Sequence, residues 1–160
     1  MKEIFKGSLP IKLKTKAMNI CLAPTLTYGC QTWTLKKTHL NKIRTCQRAL
    51  ERSYMNIKLK DRINNITIRK KSKAMDIVRR IMTLKWRWAG HILRVTETRW
   101  LQSIIDWYPR DKKRRRGRPY KRWSDDLIEV AGILWTRLAR DRACWSGLEE
   151  AFTAIGGPYD

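Results

Sequence analysis

Apolar residues along this chain recur at steps of three and four, which places them on one face of a helix with 3.6 residues per turn. From Thr15, Ala17, Ile20 and Cys21 share a face, and Pro24 interrupts the run or starts a new turn because it has no amide hydrogen. Leu40, Ile43, Cys46, Leu50 and Tyr54 predict a second helix, with Thr38 as its cap. Asp61 to Asn65 reads as a connection, and Asn64-Asn65 as its turn. A longer helix is expected from about Ser72 to Arg94, with Ile77, Ile81, Leu84, Trp88 and Ile92 as its buried seam and Arg79, Arg80, Arg87 and Arg94 on its other faces. Gly90 costs that helix about 1 kcal/mol relative to alanine unless close packing uses the missing side chain. Trp100, Leu101, Ile104, Ile105 and Trp107 fit a short helix that Pro109 closes. Further on, Leu127, Val130, Ala131 and Leu134 repeat the helical spacing, as do Leu148, Ala151, Phe152 and Ile155, with a short helix around Thr136 to Ala143 between them. Ser146 to Glu149 matches a capping box, and Gly156-Gly157-Pro158 ends the last helix. Nothing alternates as a strand would. The expected protein is all-α: a helical region over 1–95, a connecting segment over 96–122 with a basic GRP-containing linker, and a small helical unit over 123–160.

Charge changes the picture from architecture to partner. Lys and Arg total 36 against 14 Asp and Glu, a net charge of +22. Such self-repulsion brings a protein little without a polyanion, and each phosphate neutralised on nucleic acid releases condensed counterions. DNA or RNA is therefore the expected partner. A membrane is not, for want of a continuous apolar span, and no small-molecule substrate or cofactor is indicated. The start, MKEIFKGSLPIKLK, has no apolar signal core, so an intracellular setting is expected. Arg44, Arg48 and Arg52 recur every fourth residue and form one basic stripe, which suits a phosphate backbone and a solvated face equally. Lys112, Lys113, Arg114, Arg115, Arg116, Arg118, Lys121 and Arg122 make a dense run that Gly117 and Pro119 keep from being a regular helix. Its roles as a phosphate grip, a nuclear address and an AT-hook-like minor-groove segment are compatible with one another.

Two features suggest chemistry and lose it on inspection. Trp123-Ser124-Asp125-Asp126 mimics the aromatic-x-Asp-Asp turn that holds catalytic magnesium between two polymerase strands. Here Lys121-Arg122 precedes it and an amphipathic helix follows, so Ser and Asp read as helix caps. The cysteines, Cys21, Cys30, Cys46 and Cys144, contain no Cys-x-x-Cys pair, and His39 and His91 stand at no zinc-like spacing. They are expected to be free thiols serving as small buried hydrophobes. No metal or catalytic residue is assigned. Most of the eight tryptophans are expected in the core, Trp88 among them; Trp86 and Trp100 are candidates for stacking on bases.

Four stretches taken in order carry a resemblance: LAPTLTYGCQTWTL at 22–35, LKWRWAGHILR at 84–94, GRPYKRWSDDL at 117–127, and the ARDRACW–LEEAF ending. Together they resemble the polyproteins of non-LTR retrotransposons, in particular RTE-like endonuclease–reverse transcriptases. The likeness runs from about Lys12 to Phe152 and implies the region after the polymerase palm, a thumb-like helical bundle and the C-terminal extension beyond it. Thr27-Tyr28-Gly29 and Trp33 match thumb-region positions, and Gly117-Arg118-Pro119 with Trp123 to Leu127 match a C-terminal signature. The palm aspartates and the endonuclease have no counterpart, so no catalytic residue carries over and the chain is not expected to be an enzyme on its own. Met1 is then expected to be an artefact of a truncated element or of a gene model. The resemblance implies a grip on template and product, alongside the rest of a reverse transcriptase. A stand-alone AT-hook-like DNA-binding or chromatin protein is the alternative.

Overall fold

The computed structural model describes residues 5–95, 100, 103, 105, 117 and 120–156. Every regular element among them is helical and none is a strand, as the apolar spacing predicts. The chain divides into two compact units. One comprises Met1–Cys30, Leu35–Ile81 and Gly156–Asp160, the other Gln31–Thr34 and Met82–Ile155. The division falls inside the long helix Ile77–Arg94, not at its end near residue 95 where the apolar pattern stops.

In the first unit, α1 (Ile11–Ala17) runs through a wide π-helical turn, Met18–Leu22, into α2 (Ala23–Leu26). Pro24 explains the wide turn. It cannot donate to the carbonyl four residues back, and its ring crowds that carbonyl, so the helix adds a residue per turn just before it. Helix α3 (Lys37–Tyr54) begins before Thr38, with His39 Nδ1 accepting from the Lys36 amide at 3.4 Å. Its buried positions are Leu40, Gln47, Glu51 and Tyr54, whereas Ile43 and Leu50 are half-buried and Cys46 is exposed.

The reason lies in what Gln47 and Glu51 reach. Gln47 Nε2 donates to Glu51 Oε1 (2.8 Å) and to the Met75 carbonyl (2.9 Å), while its Oε1 accepts from the Ile77 amide (3.0 Å). Glu51 also accepts from Ser72 Oγ at 3.3 Å and pairs with Arg69 at 3.5 Å. Buried polar groups are tolerated when partnered in this way. The helix expected from Ser72 to Arg94 begins later, as α5 (Ile77–Arg94), and a separate helix, α4 (Asn65–Ser72), precedes it. Asn64 caps α4 by accepting from the Ile66 amide at 3.0 Å, and Lys73 ends it in the left-handed region at φ +50°.

The second unit packs the remainder of α5 with α6 (Asp125–Ala131), α7 (Trp135–Leu138), α8 (Arg142–Gly147) and α9 (Glu149–Ala154). Its core joins Met82, Trp86, Ala89 and Leu93 to Leu127, Trp135, Ala139, Trp145 and Phe152. Trp86 and Trp145 lie face to face, 3.7 Å between centroids and 5° from parallel. Each indole N–H donates to the other residue's carbonyl at 2.9 Å. Gly90 makes that pair possible: a β-carbon there would sit 2.5 Å from Trp145 Nε1. The capping box at Ser146 does not form, because Asp141 caps α8 instead, accepting from the amides of Ala143 and Cys144, and α8 runs on through Gly147. Those N–H groups, with the Cys144 thiol, hold the Asp141 carboxyl below its usual range.

Candidate nucleic-acid interface

The three arginines of the α3 stripe are all half-buried. Arg44 donates to Asn41 Oδ1 at 3.3 Å. Arg52 reaches back to the connection, donating to the Ile63 carbonyl (3.2 Å) and to Asn65 Oδ1 (2.7 Å). Arg48 lies between them on the same helix. The stripe therefore exists as a row, and its last member holds the loop that follows the helix.

Of the second set, Lys112, Lys113, Arg114, Arg115, Arg116 and Arg118 lie outside the described residues, as does most of the short helix expected over 96–108. Lys121 and Arg122 are described. Arg122 is exposed, and its backbone N–H donates to Asp125 Oδ2 at 2.7 Å. Lys121 forms an ion pair with Asp126.

Asp126 serves as an ion-pair partner rather than a cap. Its side chain is buried, and it takes the Lys85 ammonium at 2.9 Å on one oxygen and Lys121 on the other. Lys85 is itself 1% exposed and lies 5.0 Å above the Trp123 ring. Burial pulls the Lys85 pKa down, and the hydrogen bond to Asp126 acts in the opposite sense. Trp123 in turn donates to the Gln31 carbonyl at 2.7 Å and meets Trp88 edge-on at 5.5 Å. Ser124 makes no capping bond. Thus Asp125 is committed to a backbone amide and Asp126 to two ammonium groups.

The signature stretches thus meet in space. Lys85, Trp86 and Trp88 of one, Trp123 and Asp126 of another, and Trp145 and Phe152 of the last pack together within the second unit. Trp86, expected to stack on bases, is wholly buried and stacks on Trp145 instead. Trp100 is 61% exposed. In the first unit, Thr27 Oγ1 donates to the Ala23 carbonyl (2.8 Å) and accepts from Arg80 Nε (3.1 Å), while Tyr28 stands 88% exposed beside Gly29 at φ +67°. Only Cys30 among the thiols is buried, which raises its pKa; Cys21, Cys46 and Cys144 are exposed, contrary to their expected burial. Among the described residues no group of three or more His, Cys, Asp or Glu is placed to hold a metal, and no helix is long and apolar enough to cross a membrane.

A third set of cations was not singled out by helical spacing. Lys58, Lys60, Arg62, Lys70, Lys71 and Lys73 are all exposed, in the connection before α4 and at its C-terminal end. Their signal is density of charge over a short stretch, which spans the connection expected over Asp61 to Asn65 and reaches the start of the helix expected from Ser72.

No family model and no solved structure matches the chain. Over 147 residues it is 29% identical to a transposon-derived protein of Caenorhabditis elegans, a match covering 84% of this chain and 53% of that protein. The chain therefore spans about half the length of this relative, and its kinship is with a protein derived from a transposon.

Proposed function

We propose that the chain derives from a transposable element and acts as the nucleic-acid-gripping, C-terminal part of a non-LTR retrotransposon reverse transcriptase, without catalysing a reaction itself. The observation that carries this reading is a net charge of +22 on a chain related to a transposon-derived protein. The transposon link supplies a reason for contact with DNA and RNA, and the charge supplies the attraction. The commitment of Asp125 and Asp126 to partners within the fold supports a scaffold role for the motif closest in appearance to polymerase chemistry. The chain would work with the palm-bearing remainder of such an enzyme, in the nucleus, where its template and target lie.

The test is equilibrium binding of the purified chain to duplex DNA, RNA–DNA hybrid and single strand across a salt series. Binding should weaken linearly in log salt, with a slope of about −0.9 per phosphate contacted on duplex and about −0.7 on single strand. A primer-extension assay with magnesium should yield no product. Absence of binding in dilute buffer, affinity indifferent to salt, or nucleotide incorporation would each overturn the proposal.

A further inference from the structure

The grip just proposed needs a surface. Resting on that reading, we infer that the loop and helix over residues 58–73 form a phosphate-binding face, with Lys58, Lys60, Arg62, Lys70, Lys71 and Lys73 as its cations. All six side chains are exposed. Asp61 is the one acid in the stretch, and its carboxylate accepts from the Lys58 amide at 2.7 Å. Arg69 turns the other way, toward Glu51 and Asp76. Among the described residues, Arg62, Lys70, Lys71 and Lys73 have no ion-pair partner.

Backbone conformation separates this stretch from an ordinary solvated charge run. Arg62 ends the tight turn Leu59–Asp61 at φ +49°, and Lys73 ends α4 at φ +50°. Both positions favour glycine or asparagine, because a β-carbon crowds the following carbonyl in the left-handed region. A long cation stands at each instead. The helix dipole attracts cations at the end of α4, but Arg69, Lys70 and Lys71 already supply that from its last turn. Arg62 follows a single turn, where the aligned dipoles are few. Local forces therefore favour a different residue at both sites, and such outliers concentrate where a side chain serves something outside the fold.

The backbone that presents these cations is also fixed from beneath. Arg52 ties the loop through the Ile63 carbonyl and Asn65, Asn64 caps α4, and Thr15 Oγ1 donates to the Ser72 carbonyl at 2.8 Å. A face held in place loses less freedom on binding a phosphate backbone than a free tail would.

The experiment uses the whole chain and a mixed-sequence duplex. The double substitution Arg62→Gly with Lys73→Gly should raise Tm by about 2–4 °C per site, since it relieves the left-handed strain. The same variant should weaken binding roughly tenfold per side chain near 0.1 M salt and reduce the salt slope by about two contacts. Arg62→Asn with Lys73→Asn, which also suits that conformation, should repeat the binding loss. A matched pair, Lys12→Gln with Lys42→Gln, removes equal charge from exposed positions elsewhere and should change affinity far less. Equal losses from both pairs, or unchanged affinity and slope in both the glycine and asparagine variants, would overturn this face while leaving the nucleic-acid reading standing. A wild-type chain that fails to bind would remove the reading and the face together.

Discussion

Glu51 and Trp86 are both wholly buried, one in each unit, yet they are held by opposite means. Glu51 sits in a web of directed bonds from Gln47, Ser72 and Arg69, and each bond requires its partner in place. Trp86 sits in a stack of rings with Trp145 and Phe152, where contact area does most of the work and both indole N–H groups are already satisfied by backbone. The comparison teaches what each core tolerates. A polar web accepts small changes of shape but not the loss of a partner. An aromatic stack accepts no change of volume, because the closely packed rings around it cannot collapse into a void. The Lys85–Asp126–Lys121 cluster brings one element of the first style into the second unit.

Substitutions rank accordingly. Trp86→Ala should cost about 3–5 kcal/mol, seen as a fall in the urea midpoint, because it empties the centre of the stack. A loss below about 1 kcal/mol would mean the stack is not what holds the second unit. Glu51→Gln keeps the shape but replaces an acceptor with a donor facing Gln47 or Ser72. It should cost about 1–3 kcal/mol, read by the same denaturation series; a cost equal to that of Trp86→Ala would erase the contrast between the two cores. Gly90→Ala has the smallest expected effect and an informative sign. Alanine improves helix propensity by about 1 kcal/mol, yet its β-carbon collides with Trp145, at a cost of about 1–3 kcal/mol. A net loss near 1 kcal/mol is expected in the wild-type chain. Added to Trp145→Ala, the same change should stabilise.

The helical class was legible because periodicity of 3.6 needs only the order of apolar residues. Gly90 was legible for a related reason: glycine inside a strong helical pattern points to a close neighbour, and Trp145 is that neighbour. The seam of α3 was not, because it contains Gln47 and Glu51. Residue type alone places both outside, and only the carbonyl of Met75, the amide of Ile77 and the hydroxyl of Ser72, far along the chain, make them interior. The break at Lys73 escaped for a different reason, since lysine carries no sign of the left-handed turn it makes there. Trp86 and Trp88 are two residues apart and look alike in composition; which one is enclosed depends on where Trp145 and Trp123 arrive. For the interface, density of charge showed that a polyanion was expected. It did not show which cations the fold keeps outside, because Arg69 and Lys70 are neighbours in sequence and only the first turns inward.

The reciprocal tryptophan pair has a consequence for how the protein is made. Trp86 is made 59 residues before Trp145, so for that interval its ring has no stacking partner and its N–H lacks the carbonyl it donates to. A chain cut short before residue 145 therefore lacks the ring that closes the core of the second unit.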